Sequence, residues 1–111
     1  MEQDNVTKQL SNNPEVKSLQ ELVGKCERLS QREREVLETF ANKDVERAKD
    51  VADILFVSKR TVDFHLGNIF DKLGVRATTR AVIIYDRYSR GEYSDKITSI
   101  YEGQGYDDTK Q

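Results

Sequence analysis

The segment between Ser58 and Gly74 constrains the fold of this 111-residue chain more than any other. Ser58 is a preferred N-cap residue, and Gly74 can adopt the left-handed conformation that ends a helix. Between them one apolar stripe repeats at steps of four, three and four residues: Val62, Leu66, Ile69 and Leu73. That spacing is typical of an amphipathic helix with one buried face.

Helix signals recur on both sides of this segment. Asn13-Pro14-Glu15 favours a helix start, because asparagine caps well and proline suits the first helical position. Ser30 and Glu33 form a capping box, in which each side chain can satisfy the backbone amide of the other. A further amphipathic stretch ends near Gly91. These signals favour helices throughout.

The predicted fold class is therefore all-α, with one compact helical domain. We expect an N-terminal tail and an extra amphipathic helix over residues 1–28, the domain over 29–91, and a loose C-terminal tail over 92–111. In that tail a few apolar residues are expected to dock as one short turn: Ile97, Ile100 and Tyr101.

Two helices in the middle of the chain, at roughly residues 48–74, meet the requirements of a helix-turn-helix motif. The motif needs a small residue where its helices cross, and Ala52 is suitable. Val57 can fill the space beneath the turn, and Val62 can face back onto Ala52. The turn position that usually favours glycine holds Phe56.

The second helix of this motif also has an informative polar face. At about 100° per residue, the side opposite the apolar stripe carries Arg60, Phe64, Gly67 and Asp71. A phenylalanine at the centre of a polar face is unusual. Phe64 can contact thymine methyl groups in DNA, or it can pack on another part of this protein or on a partner.

Charge is distributed unevenly along the chain. The net charge is −2, which by itself does not indicate nucleic-acid binding. Residues 47–80 nevertheless hold 7 Lys/Arg against 4 Asp/Glu, whereas the segments on either side are acidic. The positive excess therefore coincides with the helix-turn-helix segment.

The sequence favours no enzyme and no cofactor. Cys26 and His65 are the only cysteine and histidine, so neither an internal disulfide nor a zinc cluster is expected. We find no Ser/His/Asp set and no phosphate-binding glycine loop. A leader and a membrane-length apolar run are also lacking, so we expect a cytoplasmic protein that does not bind membranes.

Three separated blocks resemble the LuxR-type (GerE-like) helix-turn-helix family of transcription regulators. The blocks are LSQREREVL at 29–37, VSKRTVDFHL at 57–66 and IFDKLGV at 69–75, and the resemblance covers about residues 29–91. It implies a compact four-helix domain whose third helix enters the major groove and whose fourth helix often mediates dimerisation.

The resemblance also implies double-stranded DNA as the partner and a homodimer as the binding form. The predicted DNA-binding residues begin at the cap of the third domain helix: Ser58, Lys59, Arg60, Thr61, Asp63, Phe64, Gly67, Asn68, Lys72 and Arg76. The predicted dimerisation residues crowd the fourth: Val82, Ile84, Tyr85 and Tyr88.

Departures from the family pattern bear on DNA binding. Asp63 occupies a position that is usually basic, and Gly67 leaves a base-reading position without a side chain. The loop between Ala41 and Val51 is about two residues longer than usual and lacks the expected glycine. These differences predict either an unusual sequence preference or reduced DNA affinity.

Two other functions remain open at this stage. One is a helix-turn-helix protein that mainly binds another protein, and the other is a partner of RNA polymerase that resembles region four of a sigma factor. The extra N-terminal helix also has three possible roles: it extends a dimer interface, packs on the domain, or binds a separate protein.

Overall fold

The computed structural model describes the backbone of residues 13–43 and 45–109, and the side chains of these residues up to Glu102. This part of the chain folds into six helices and contains no strand, which confirms the all-α prediction. The helices are α1 (Pro14–Glu27), α2 (Gln31–Asn42), α3 (Ala48–Leu55), α4 (Lys59–Leu73), α5 (Thr78–Ser89) and α6 (Glu92–Thr109). None of them is both long and apolar enough to cross a membrane.

Helix α1 begins where the sequence predicts and packs on the domain. The Asn13 side-chain oxygen accepts hydrogen bonds from the amides of Glu15 and Val16, at 2.8 and 3.2 Å. Val16 and Cys26 are fully buried, and the helix contacts α4, α5 and α6. Burial raises the pKa of the Cys26 thiol to about 11, although the charge of nearby Arg34 opposes that shift. Of the three roles considered for this helix, packing on the domain is the one seen.

Arg34 fastens the end of α1 to the start of α2. Its guanidinium group donates to the carbonyl oxygens of Cys26 and Leu29, each at 3.3 Å, and lies 5.8 Å from the centre of the Tyr88 ring. The Cys26 carbonyl lies in the last turn of α1 and also accepts from the Leu29 amide at 3.1 Å, whereas the Leu29 carbonyl follows the helix end. One side chain therefore joins three helices.

Helices α3 and α4 form the predicted helix-turn-helix. Ala52 and Val62 are both buried, and the Val57 amide donates to the Ala52 carbonyl oxygen at 3.0 Å. Phe56 adopts the left-handed conformation, with φ 59° and ψ 43°, and its side chain is 94 % exposed. A left-handed residue other than glycine is strained, so the turn forms without the residue that suits it best.

Helix α4 has the limits and the buried face that its sequence indicates. The Ser58 hydroxyl caps its start, and Gly74 ends it with φ 70°. The predicted stripe is buried in the common core: Val62, Leu66, Ile69 and Leu73. The opposite side of α4 faces away from the protein.

The C-terminal segment corrects the expectation of a loose tail. Residues Glu92–Thr109 form α6, which packs against α1. Gly91, with φ 77°, lets the chain reverse after α5, and the Tyr93 side chain is then buried. Lys96 also pairs with Glu15 at 3.5 Å. The helix extends well past the single turn expected, because tertiary packing stabilises a sequence of weak helical propensity.

Candidate nucleic-acid interface

The start of α4 presents a polar surface built on a capped helix end. The Ser58 hydroxyl accepts a hydrogen bond from the Thr61 amide at 3.0 Å, and the hydroxyls of Ser58 and Thr61 lie 2.9 Å apart. Ser58 therefore caps the helix, as expected. The remaining amides of the first turn, together with the helix dipole, create a partial positive charge that suits a phosphate group.

Asp63 neutralises one of the two basic residues at this end of α4. Its carboxylate lies 2.7 Å from the Lys59 ammonium nitrogen, and both side chains remain about half exposed or more. An exposed pair at this i, i+4 spacing is weak, so Lys59 can exchange Asp63 for a phosphate at little cost. Asp63 thus weakens the positive field at the helix start without removing Lys59 from reach.

Lys72 is directed into the protein, which changes the role expected of it. Its ammonium nitrogen lies 2.7 Å from Oε1 of Glu33, whose side chain is only 5 % exposed. The same oxygen accepts from the Ser30 amide at 2.9 Å, which completes the predicted capping box. Lys72 therefore fixes α4 against α2, and we leave it out of the phosphate-contacting set.

The environment of Glu33 favours its charged form. Burial alone would raise the pKa of this carboxyl group, but hydrogen bonds from Lys72 and from the Ser30 amide outweigh that effect. The pKa of Glu33 is consequently lowered from its ordinary value. The ion pair between α2 and α4 thus persists at neutral pH.

Two arginines near α4 remain available for phosphate. Arg60 in its first turn and Arg76 just after its end are exposed, and neither forms an ion pair within the described residues. The two lie at opposite ends of the exposed face of α4. A guanidinium group at each end suits two separate stretches of a nucleic-acid backbone.

The centre of the exposed face of α4 is shallow and partly apolar. Phe64 is 65 % exposed, and His65 is half-buried; the two rings meet in a T-shaped arrangement with 5.8 Å between their centroids. The ring borders an open depression along the helix, which we call the α4 depression; its lining includes Phe64, Gly67, Asn68, Asp71 and Arg76. The structure thus brings the predicted base-reading residues onto one surface.

The predicted dimerisation residues of α5 do not share one environment. Tyr85 is buried in the core, and its hydroxyl donates to Oε2 of Glu38 at 2.7 Å. Burial and the Glu38 carboxylate raise the pKa of Tyr85 to about 12. Val82, Ile84 and Tyr88 are half-buried.

Ile83, which the sequence interpretation omitted, is the exposed apolar residue of α5, at 43 %. A helical projection through Ala81 and Tyr85 would have found it, because both point inward and Ile83 lies on the other side. The Glu33–Lys72 pair had no comparable signal, since 39 residues separate its members.

No group of three or more metal-ligating side chains occurs among the residues that the structure describes. Cys26 is buried and His65 packs beside Phe64, so packing within the protein accounts for the position of each side chain.

Comparison with known proteins gives matches that agree with one another. Residues 27–85 match the family model described as bacterial regulatory proteins, luxR family. Over 55 residues the chain is 40 % identical to the spore germination protein GerE of Bacillus subtilis (strain 168), a match that covers 50 % of this chain and 72 % of GerE.

Over 61 residues the chain is 39 % identical to the transcriptional regulatory protein ComA of the same organism, covering 50 % of this chain and 28 % of ComA. No solved structure gives a significant match. The matched region includes α2, α3 and α4, and most of α5.

Proposed function

The chain belongs to the luxR family of bacterial regulatory proteins, and we propose that it binds double-stranded DNA by placing the exposed face of α4 in the major groove. The observation that carries this proposal is the α4 depression, displayed on a helix-turn-helix with Phe64 exposed at its border. An α-helix fits the major groove, and residues on its outer face then reach base edges.

In this arrangement the basic and polar residues have separate tasks. Arg60, Arg76 and the exchangeable Lys59 contact phosphates and set the position of the helix, as do the amides after Ser58. Phe64 and Asn68 lie on the outer face of α4 and face the bases. Asn68 can pair with adenine, and the Phe64 ring can contact a thymine methyl group.

We further propose that the protein binds DNA as a homodimer through α5. Ile83 is exposed, Val82 and Ile84 flank it, and a two-fold axis near Ile83 would cover this surface on both copies. Tyr85 supports the helix from within and does not take part. We place such a protein in the cytoplasm, where its DNA would be.

A salt titration of DNA binding tests the main proposal. Fluorescence anisotropy would compare a duplex selected by this protein from a random library with a scrambled duplex of equal length. Two or three phosphate contacts per copy predict that log K falls with log salt at a slope of about −4 to −5 for a dimer. Equal affinity for both duplexes, or binding to neither, would contradict the proposal.

A second function, binding mainly to another protein, has one observation in its favour. The outer face of α4 carries the carboxylates of Asp63 and Asp71, which reduce its attraction for phosphate. In this second function a partner protein, and not DNA, would contact Phe64. Helix α1, for which binding a separate protein was one of three roles left open, is a poor partner site because its apolar face already packs within this chain.

Substitutions at Asp63 separate the two functions. If α4 meets DNA, Asp63→Asn should tighten binding to every sequence by freeing Lys59, and Asp63→Lys should also steepen the salt slope by roughly one per copy, or about two for a dimer. Unchanged DNA binding in both variants would favour the protein-binding function.

A further inference from the structure

Gly67 lies in the interior of α4, where nothing within the protein requires a glycine. Its φ is not positive, unlike that of Gly74 and Gly91. A Cβ atom built on Gly67 would meet no other atom within 4 Å. Alanine is a better helix former at such a position, because glycine loses more backbone freedom on folding. No contact within the described residues therefore explains glycine at this position.

The surroundings of Gly67 indicate what fits there. Phe64 precedes it by three residues and Asp71 follows it by four, so all three lie on the same side of α4 and line the α4 depression. The missing side chain leaves a notch with an apolar ring on one side. A carboxylate on the other side disfavours phosphate but can accept a hydrogen bond from a base amino group.

We propose that the notch at Gly67 seats the 5-methyl group of a thymine, so that Gly67 determines sequence preference by the space it leaves. This inference rests on the proposed DNA binding by α4. The methyl group would pack between the Phe64 ring and the helix backbone, and any larger residue at position 67 would hold the base edge away. Gly67 thus acts on the bases, whereas Arg60 and Arg76 act on the phosphates.

Gly24 provides a matched control in α1. It too lies within a helix and has no atom within 4 Å of a built Cβ. Its surroundings are polar: Lys17, Gln20, Glu21, Lys25 and Arg28. Gly24→Ala and Gly67→Ala should each raise the melting temperature by about 3–7 °C, because both relieve the same helix penalty. Only Gly67→Ala should alter DNA binding.

The test combines these variants with uracil, which differs from thymine by the methyl group alone. Each thymine of the selected duplex is replaced in turn by uracil, and binding is measured by fluorescence anisotropy. For the wild-type protein and Gly24→Ala, a single replacement at one equivalent position of either half-site should weaken binding about fourfold, the loss expected for one buried methyl group. Gly67→Ala should be insensitive at that position and should bind the unmodified selected duplex about tenfold more weakly.

The opposite directions of the stability and binding effects exclude a folding defect as their cause. The inference is overturned if Gly67→Ala binds the selected duplex as well as the wild type does, or if both proteins respond alike to every uracil. If the wild type binds the selected duplex no better than the scrambled one, the proposed function fails as well, so the two failures are distinguishable.

Discussion

The ammonium nitrogen of Lys72 lies 2.7 Å from Oε1 of Glu33, the same oxygen that accepts a hydrogen bond from the Ser30 amide at 2.9 Å. One carboxylate oxygen therefore caps α2 and anchors the last turn of α4. Because α4 carries the proposed DNA-reading surface, this contact helps to fix the orientation of that surface on the protein.

Glu33→Gln should lower the free energy of unfolding by about 1–2 kcal/mol, since the amide keeps an acceptor for Ser30 but loses the charge that pairs with Lys72. The loss is moderate because Lys72 is 34 % exposed and can turn to solvent. Urea denaturation monitored by circular dichroism measures this loss of unfolding free energy. Glu35→Gln is the control: its pair with Arg32 is exposed, so a change under about 0.5 kcal/mol is expected. Equal effects would argue against the anchoring role.

The same pair predicts a dependence of stability on pH. The pKa of Glu33 is lowered in the folded protein, so the unfolded chain binds a proton more readily in the acidic range. The stabilisation is complete above the ordinary value of 4.5 and is lost as the pH falls through the lower folded value. The stability difference between wild type and Glu33→Gln should therefore be constant above about pH 5.5 and shrink below it. A difference that grows on acidification would refute this assignment.

Phe56→Gly should stabilise the protein by about 1 kcal/mol, because glycine accepts the left-handed conformation without steric cost. The ring is almost fully exposed, so little packing is lost with it. Thermal unfolding would show the gain as a higher melting temperature. Gly74→Ala, the converse change at another left-handed helix end, should destabilise the protein. A lower melting temperature for Phe56→Gly would mean that the ring makes a stabilising contact.

Ile83→Glu should yield a folded monomer if the exposed side of α5 forms the proposed homodimer. Light scattering over a range of protein concentrations would show the change, and circular dichroism would confirm that the helices persist. Ser99→Glu, on the exposed side of α6, should leave the dimer intact. Tyr85→Glu should instead unfold the chain, because it places a charge in the core beside Glu38. A wild-type chain that stays monomeric at high concentration, with and without DNA, would contradict the dimer proposal.

Local signals predict much of this fold. Asn13, Ser30 and Ser58 cap helices where the sequence indicates, and Gly74 ends α4 as expected. These caps depend only on residues within one helical turn of each other, so the local sequence is enough to predict them. The apolar stripe of α4 also reveals its outer face, because helical geometry fixes one face once the other is known.

Features that depend on distant residues were not predictable. Helix α6 is stabilised by packing against α1, and its own residues include glycines that disfavour a helix. Lys72 looked like a phosphate contact, because its pairing with Glu33 arises only when α2 and α4 come together.

The central claim is that the outer face of α4 reads base edges, and Phe64→Ala tests it most directly. The affinities of wild type and variant are measured by fluorescence anisotropy on the selected duplex and on the scrambled duplex, at one salt concentration. The account predicts a loss of about 1–3 kcal/mol on the selected duplex and almost none on the scrambled one, because an apolar base contact carries sequence information and a phosphate contact does not. Equal losses on both duplexes, or no loss on either, would contradict it.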